Sequence, residues 1–459
     1  MTKLPPLDYL QNNFQKTLQD LSELVEIPSV SFSGFPPGEV RRSADAVAKL
    51  MKRAGLEKVE ILEVPGTHPY VYGEWMKNPG APTALLYAHH DVQPAGREEL
   101  WESAPFKADF REGPGGLRMY GRGTADDKAG ILVHLSAIEA YLKTEGTLPI
   151  NVKVVIEGEE EIGSTQLGTF LKTYREKLDA DVICLTDTTN FDCGIPALTV
   201  ALRGLAEFQI EIRALTKSIH SGMWGGPVPD PAMALSKVLA TLVDEKGRIA
   251  LKEITDQVPL LTDAEINEAD RLPYDEKKFR EQCGMVPGAH LHREGPSPFL
   301  QLWRFPSLTV NALQASSRKS PSNIINDVAW AKVTIRLVQG MDPKRVTEIM
   351  ERHLRLVTPW GLEISIHREG AAVGGWATEP KGKAFEVAIE AMSEGYGVSP
   401  LFIGCGGTIP FVKPFAEALG GAPALLIGVE DPYTNAHGEN ESLLEIGRAS
   451  CRERVCSTV

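Results

Sequence analysis

The sequence predicts an α/β protein of two domains, in which a mostly parallel sheet is sandwiched by helices and an α+β domain is inserted into the chain. Three observations favour this fold. Short apolar runs alternate with segments of helical periodicity in the first part of the chain, which is typical of a parallel sheet covered by helices. Strands with alternating apolar side chains then follow, and the first pattern returns near the end. The first domain is therefore expected to be discontinuous.

The first domain is expected to open with two helices and to continue with short buried strands. Its apolar periodicity predicts the helices Leu7–Glu26, Ser43–Leu56 and Gln166–Lys177 and the strands Val59–Val64, Tyr70–Trp75, Thr83–Ala88, Asn151–Ile156 and Asp181–Leu185. Polar clusters follow the last three strands directly. Because open α/β sheets bind ligands at the carboxyl ends of their strands, these clusters predict a site at that edge.

The inserted domain is expected where a long alternating strand begins at Leu198. The chain then predicts a helix from about Pro231, strands at Val328–Leu337 and Glu363–His367, and the helix Pro343–Leu356 between them. Beyond Gly374 we expect the helix Lys381–Glu394, the strand Ala422–Val429 and a helix starting near Asn440. We therefore assign residues 198–373 to the inserted domain and residues 1–197 and 374–445 to the first domain.

Composition and charge exclude several classes of function. The 459 residues are 42% hydrophobic and 24% charged, which is ordinary for a globular protein of two or three domains. The formal net charge of -13 argues against a nucleic acid or an anionic membrane as partner, since both require a basic surface. The sequence has neither an apolar run of membrane-spanning length nor an apolar signal core at its start. We therefore expect a cytoplasmic protein with a small-molecule substrate.

The six cysteines are scattered and form no C-x-x-C pair. This spacing suits a reducing compartment and argues against both disulfides and a thiolate zinc site. Any bound metal must then use oxygen and imidazole ligands. The last residues, 446–459, do not continue the preceding pattern, and Ile446–Val455 read back into codons resembles a sequencing-library adapter. We therefore treat 446–459 as a suspected non-native tail and exclude it from the fold.

The stretch YGRGTADDKAG, residues 120–130, is the strongest candidate for a functional loop. It is expected to deliver Asp126 to the start of a helix, and one carboxylate has two oxygens with which to bridge two metal ions. Acidic residues at a helix N-terminus are also ordinary partners of the helix dipole. The stretch alone therefore leaves both interpretations open.

Four further clusters have the same two interpretations, one structural and one chemical. His89 is either a candidate metal ligand oriented by Asp91 or the partner of Asp91 in a purely structural hydrogen bond. Side chains alternate along an extended chain, so His90 should point away from both and pack. Glu159, Glu160 and Glu161 could form a solvated helix start or place a carboxylate in the site. Asp187 could cap a helix or bind a metal, and His437 could be a surface histidine or a ligand.

Taken together, the clusters supply two imidazoles and three carboxylates. This set suits two divalent metal ions about 3.5 to 4 Å apart. Mixed nitrogen and oxygen ligands fit zinc, and manganese and cobalt accept similar ligands. The five candidate ligands are His89, Asp126, Glu161, Asp187 and His437.

The motifs resemble those of one enzyme family along most of the chain. The resemblance rests on YAHHDVQP, GRGTADDK, EGEEEIGS, LTDT, HSGMWGG, SNIINDVAWAKVTIRL, CGGTIP and AHGENE. They are similar to the di-zinc metallopeptidase family that contains carnosinase, cytosolic nonspecific dipeptidase, bacterial dipeptidases, aminoacylase, succinyl-diaminopimelate desuccinylase and glutamate carboxypeptidase. The HxDVQP and HSGxxGG forms resemble the dipeptidase and carnosinase branch. The resemblance implies a zinc-peptidase-like fold with an inserted dimerisation or lid domain, and a homodimer.

The resemblance also implies a role for each matching residue. His89 and Asp187 would hold one metal, Glu161 and His437 the other, and Asp126 would bridge them. Asp91 would orient His89, Asp127 would follow Asp126 through a cis peptide bond, and Glu160 would be the general base. The residues implied to bind substrate are His220, which would reach a partner subunit's active site, and Asn323, Arg336, Gly407 and Thr408. Relatives often have serine where this chain has Thr408.

The expected reaction is metal-dependent hydrolysis of the peptide bond of a dipeptide, by a bridging hydroxide with a glutamate as general base. The alternative is a deacylase or desuccinylase of N-acyl amino acids, or a small carboxypeptidase, with the same chemistry. Fold does not decide between them. A binding protein without activity on this scaffold would be expected to have lost Glu160 or a ligand, and all are present.

Overall fold

A computed structural model describes residues 5–292, 297–319, 321–368, 370–407, 409 and 412–444. The predicted α/β class is confirmed, with a large sheet, a smaller four-stranded sheet and helices packed on both. Within the described residues, none of the helices combines the length and apolar character needed to span a bilayer. The suspected tail, 446–459, lies outside the described residues.

The strands of the described residues fall into four sheets. In chain order they are β1 Glu57–Leu62, β2 Tyr70–Trp75, β3 Thr83–His89, β4 Asp109–Gly113, β5 Gly116–Tyr120, β6 Asn151–Glu157, β7 Val182–Leu185, β8 Ala197–Leu202, β9 Gly204–Arg213, β10 Ile219–His220, β11 Ser307–Gln314, β12 Ile324–Ile325, β13 Val328–Leu337, β14 Glu363–Arg368, β15 Trp376–Ala377, β16 Leu401–Cys405, β17 Ala424–Leu426 and β18 Ser442–Leu444.

The helices cover the sheets. They are α1 Pro5–Val25, α2 Pro37–Ala54, α3 Lys128–Thr144, α4 Leu167–Thr173, α5 Arg175–Leu178, α6 Ser221–Trp224, α7 Pro231–Ala240, α8 Lys252–Thr255, α9 Asp263–Arg271, α10 Glu276–Gln282, α11 Pro298–Arg304, α12 Pro343–Val357, α13 Lys383–Tyr396 and α14 Val412–Ala418. Short 3-10 turns lie at Glu98–Leu100, Glu160–Ile162 and Pro359–Gly361.

The large sheet has the strand order β1-β2-β6-β3-β7-β17-β8-β15, and β16 pairs with β8. Its centre is parallel, because β6, β3, β7 and β17 run in one direction. Strands β3, β6 and β7 are buried almost throughout, as expected for parallel strands covered on both faces. Two apolar clusters, one containing α2 and α3 and the other α4 and α14, supply the two faces of the core. The carboxyl ends of these strands therefore meet along one edge.

The smaller sheet has the order β11-β13-β9-β14 and is antiparallel throughout. Strand β9 alternates buried and half-buried side chains along its whole length, so one face packs against α7 and α12 and the other does not. This sheet lies within the range assigned to the inserted domain. The division into residues 198–373 and the two flanking ranges stays a prediction.

Three expected elements differ from the structure. The long strand from Leu198 is two strands, because at Arg203 the chain passes from the large sheet to the small one. The helix expected near Asn440 is wrong: β18 pairs there with β5, so pairing with a distant strand outweighs local preference. The helix Gln166–Lys177 is divided into α4 and α5.

Candidate metal centre

Two predicted ligands lie at the ends of adjacent parallel strands. His89 is the last residue of β3, and Asp187 follows β7 by two residues. The parallel pairing of the two strands brings His89 Nε2 to 3.8 Å from an Asp187 carboxylate oxygen. The His89 ring is fully buried, so the sheet fixes its position before any ligand binds.

Asp126 lies between two imidazoles. Its Oδ1 atom is 3.0 Å from His89 Nε2, and its Oδ2 atom is 3.1 Å from His437 Nε2. The peptide bond between Asp126 and Asp127 is cis, as the resemblance implies. Each oxygen of one carboxylate therefore faces a different histidine, which is the arrangement expected of a bridging ligand.

The five candidate ligands form two groups that share Asp126. The first contains His89 and Asp187, and the second contains Glu161 and His437. Within each group the ligand atoms lie within 4.8 Å of one another. In the second group His437 Nε2 is 3.3 Å from Glu161 Oε2. The structure thus brings together all five residues that the sequence singled out as ligands.

The donor set fits divalent cations in both charge and chemistry. Burial, and next the charge of Asp126, raise the pKa of Glu161 to about 7, and burial also raises the pKa of Asp187. Several carboxylates crowded into one buried site repel each other, and cations bound there would offset that cost. Imidazole nitrogen and carboxylate oxygen are ligands that zinc accepts, and manganese and cobalt accept them as well. Each group supplies three protein ligands and so leaves room for water or substrate.

Asp91 contacts residues of both ligand groups. The backbone carbonyl of Asp91 is 3.0 Å from His89 Nδ1, and its carboxylate is 3.5 Å from the same nitrogen. The carboxylate also accepts hydrogen bonds from the backbone N–H groups of Glu160, at 3.2 Å, and Glu161, at 3.1 Å. The Ser31 hydroxyl donates to it at 2.7 Å. Asp91 therefore orients a ligand of one group and the backbone that carries a ligand of the other.

The three consecutive glutamates have different surroundings. Glu159 turns away from the ligands, and its carboxylate accepts a hydrogen bond from the Tyr70 hydroxyl at 3.2 Å. Glu161 accepts from the Gln93 side chain at 2.7 Å and from its backbone N–H at 3.1 Å. Burial, and next the charge of Asp187, raise the pKa of Glu160 well above its ordinary value. The three carboxylates of the run thus differ in their partners, and the charge of Asp187 acts on Glu160.

His90 packs away from the ligands. It is fully buried, its Nε2 atom lies 2.9 Å from the Pro69 carbonyl oxygen, and burial lowers its pKa to about 4. The neutral ring suits packing.

His220, the last residue of β10, lies beside Asn323, which precedes β12. Strands β10 and β12 pair next to them, and the backbone N–H of Ser221 donates to the Asn323 carbonyl at 3.0 Å. The His220 ring is exposed, and its Nδ1 atom accepts from the Gly222 N–H at 3.1 Å. Within the described residues no hydrogen bond or ion pair joins His220 to the ligand groups.

Arg336 and Gly407 both lie near Arg203. Arg336 is half-buried on β13, and Arg203 lies near it: burial, and next the positive charge of Arg336, lower the pKa of Arg203 to about 10. Arg203 donates from its backbone N–H to the Gly407 carbonyl at 3.1 Å and from Nε to the Gly406 carbonyl at 3.1 Å. Thr408 lies outside the described residues.

Sequence reasoning missed several charged residues near the site. Glu430 is a half-buried carboxyl whose pKa is raised by burial and next by the charges of Asp126 and Asp187. Glu441 and Arg122 form a buried ion pair, with 2.8 Å between Oε2 and Nη1. Glu441 lies in the motif AHGENE and Arg122 in the motif GRGTADDK, and neither was assigned a role from the sequence. A charged residue without an assigned role inside a motif was therefore the signal that could have found them.

Comparison with known proteins identifies the family. The sequence pattern of peptidase family M20/M25/M40 matches residues 85–451, and the chain belongs to this family. The chain is 32% identical over 444 residues to the cysteinylglycine-S-conjugate dipeptidase of Corynebacterium striatum, covering 95% of this chain and 92% of that protein. The predicted resemblance to the dipeptidase branch is confirmed.

Two solved structures have the same architecture. The dipeptidase Dug1p from Saccharomyces cerevisiae matches with a TM-score of 0.88 and 25% identity, covering 99% of this chain and 97% of that one. Human carnosine dipeptidase 1 matches with a TM-score of 0.88 and 26% identity over the same shares of the two chains. The predicted two-domain metallopeptidase fold is confirmed, and the chain is a hydrolase of this family.

Proposed function

We propose that this protein is a metallo-dipeptidase with two divalent metal ions per subunit, zinc in the first instance. The observation that carries the proposal is Asp126, whose two oxygens face His89 and His437 at 3.0 and 3.1 Å. His89 and Asp187 would hold one ion, Glu161 and His437 the other, and Asp126 both. Ions bound there would lower the pKa of a water molecule and polarise the substrate carbonyl.

Glu160 is the proposed general base. It lies beside the ligand Glu161 in the chain, and Asp91 holds the backbone N–H groups of both. Its carboxylate would take the proton of the attacking water and later pass it to the leaving amine. His220 would donate to the oxygen of the scissile carbonyl as negative charge develops there. Asp91 orients His89 and touches no substrate.

Arg336 is the proposed anchor of the substrate's free carboxylate. A guanidinium has a planar fork that suits a carboxylate, and Arg336 is half-buried near the Gly407 loop. Asn323, Gly407 and Thr408 would complete the binding of the substrate backbone and carboxylate. An anchor one residue away from the scissile bond favours dipeptides over longer chains.

The relatives support a dipeptidase over a deacylase. The Corynebacterium striatum relative is named a cysteinylglycine-S-conjugate dipeptidase, and the two solved structures above are also named dipeptidases. N-acyl amino acid deacylation or desuccinylation and small-carboxypeptidase activity are the alternatives.

We also propose a homodimer, supported by the exposure of His220 away from the ligands of its own chain. A cytoplasmic location is supported by the free thiols of Cys184, Cys193, Cys283 and Cys405.

One experiment separates these activities. The purified protein, loaded with zinc, manganese or cobalt, is given a panel of dipeptides, N-acetyl and N-succinyl amino acids and C-terminally extended peptides. We expect dipeptides to have the highest kcat/KM. Faster cleavage of the N-acyl amino acids would assign the protein to the deacylases instead. The metal content of the same samples, measured by mass spectrometry, gives the number of ions per subunit.

A further inference from the structure

The Glu441 carboxylate organises the backbone that carries Asp126. Oε1 accepts hydrogen bonds from the backbone N–H groups of Ala125, at 3.0 Å, and Asp126, at 3.2 Å. Oε2 accepts from the Gly123 N–H at 2.9 Å and from Arg122 Nη1 at 2.8 Å. The Glu441 side chain is fully buried. One carboxylate thus binds three backbone N–H groups of the loop that ends at the shared candidate ligand.

Arg122 extends the same network to His437. Its Nη2 atom donates to the backbone carbonyls of His437, at 3.2 Å, and Gly438, at 3.0 Å, and also to Pro94 at 3.1 Å. The Arg122 side chain is almost fully buried. A single ion pair therefore contacts the backbone of two ligands, Asp126 and His437, which are far apart in the sequence.

The conformation of the loop that carries His437 depends on such contacts, because burial does not fix the His437 side chain. The His437 side chain is 61% exposed, and its backbone has a φ of 63°. Residues other than glycine seldom adopt this left-handed region, so the surrounding contacts must hold the conformation. His89, in contrast, is fully buried at the end of a strand. Of the two histidines, His437 is the one whose position rests on the loop.

A second buried ion pair joins the same two parts of the chain without touching a ligand. Arg118 Nη1 and Nη2 donate to the Asp431 carboxylate at 3.0 and 3.2 Å, and Arg118 also bonds to Ser442. Arg118 and Asp431 are buried to the same degree as Arg122 and Glu441. None of their hydrogen bonds within the described residues reaches a candidate ligand. This pair is therefore a matched structural control.

We propose that Arg122 and Glu441 are positioning residues that set the affinity of the metal ion held by Asp126, Glu161 and His437. The inference rests on the proposed metal centre. Groups that orient ligands from behind typically change metal affinity about 10- to 100-fold when they are altered. Here the pair holds the His437 backbone and the shared ligand, whereas β3 and the Asp91 network hold His89 independently. Weakening the pair should therefore affect one ion more than the other.

The test compares Glu441→Gln with Asp431→Asn in the full chain. Each protein is stripped of metal and titrated with Co2+, with absorption and mass spectrometry reporting the ions bound. Glu441→Gln keeps the shape of the side chain but replaces one acceptor oxygen with a donor. We expect the wild type and Asp431→Asn to bind two ions alike. Glu441→Gln should bind one ion about 10- to 100-fold more weakly than the wild type and lose less affinity for the other.

A second variant and a second measurement guard against simple destabilisation. Arg122→Lys keeps the positive charge but lacks the fork that reaches three carbonyls, so it should weaken the same ion. The rise in unfolding temperature on adding Co2+ should be smaller in Glu441→Gln and Arg122→Lys than in Asp431→Asn, because a tighter ligand stabilises the folded state more. The rise in unfolding temperature on adding Co2+ should thus distinguish the Arg122–Glu441 pair from the Arg118–Asp431 pair, even where the metal-free variants are equally destabilised.

The outcomes separate this inference from the proposed function. Two ions with unchanged affinities in both Glu441→Gln and Arg122→Lys would overturn the inference alone. An equal loss of affinity in Asp431→Asn would also overturn it, because the effect would then follow from any buried pair at this place. A wild type that binds no second ion would overturn the proposed two-metal centre, and with it the inference.

Discussion

The candidate metal centre and the candidate substrate residues of the smaller sheet differ in how completely one chain assembles them. The five candidate ligands form two groups that share Asp126, the ligand atoms of each group lie within 4.8 Å of one another, and His89 is fully buried at the end of a strand. His220 is exposed, and its ring accepts a hydrogen bond from the backbone N–H of Gly222. Arg336 is half-buried on the smaller sheet. One chain thus brings all five candidate ligands together, whereas the candidate substrate residues His220 and Arg336 lie on different elements.

The difference follows from what each region requires. A metal centre needs ligand atoms held within a few tenths of an ångström, which the ends of buried parallel strands provide. A substrate-binding surface must open to admit its ligand, and elements on a separate sheet can do this. The contrast suggests that the larger sheet performs the chemistry and the smaller one selects the substrate. Four predictions test this division, from the largest effect to the smallest.

Metal removal should have the largest effect. Dialysis against a chelator should abolish turnover, and zinc, manganese or cobalt should restore it, because the proposed reaction needs the ions to lower the pKa of the attacking water and to polarise the substrate carbonyl. The rate of dipeptide hydrolysis is measured before and after. Full activity in a sample shown by mass spectrometry to be free of metal would contradict a chemical role for this region.

Glu160→Gln should be next in size. With its base removed, kcat should fall about 10²- to 10⁴-fold while both metal ions remain bound. The matched variant is Glu161→Gln, which is one residue away and should lose metal instead, since Glu161 is a ligand in the second group. Kinetics and metal content are measured on both. Loss of metal from Glu160→Gln alone would reverse the two roles.

Arg336→Met should affect selection more than chemistry. If Arg336 binds the free carboxylate, kcat/KM for a dipeptide should fall on the order of 10²-fold, as when one partner of a buried charged pair is removed. The amidated dipeptide, a poor substrate of the wild type, should be almost unaffected. Arg213→Met is the control, because Arg213 lies at the other end of β9 and pairs with Asp327. Equal hydrolysis of free and amidated dipeptides by the wild type would argue against this anchor.

Subunit mixing should give the smallest signal, a partial recovery. His220→Ala and Glu160→Gln are each expected to be inactive. If His220 completes the site of the partner subunit, exchanging subunits should restore about a quarter of the activity, since half of the dimers are mixed and each has one intact site. A mixture of Glu160→Gln and Glu161→Gln is the control and should stay inactive, because both changes lie in the same subunit's site. No recovery in verified mixed dimers would place His220 in its own subunit's site or outside the reaction.

Local patterns were sufficient to single out candidate ligands at the ends of strands. His89 ends a buried strand and Asp187 follows another, so the period of the strands and the parallel topology together determine that they meet. The alternation of an extended chain also predicts that His89 and Asp91 share a side and that His90 does not, and His90 packs against the Pro69 carbonyl. These residues lie in or next to strands, where local geometry decides the direction of a side chain.

Other features depended on contacts between distant parts of the chain. The strand from Leu198 breaks at Arg203 because Gly204 lies against the backbone of Val373, where a side chain would lie only 2.0 Å from the Val373 carbonyl oxygen. The segment near Asn440 forms a strand because β5 pairs with it. Neither partner is near in sequence, so neither outcome was visible in a local pattern.

The sequence by itself determined the fold class and singled out five candidate ligands and the glutamate beside one of them, because residue type and period along one element show which side chains follow a strand end. Tertiary structure decided what holds them. Glu441 reaches the backbone of Asp126 across more than three hundred positions, and Arg122 reaches His437 in the same way. A buried charged residue needs a partner, because burying an unpaired charge costs free energy. Only the packed chain shows which partner lies within hydrogen-bonding distance.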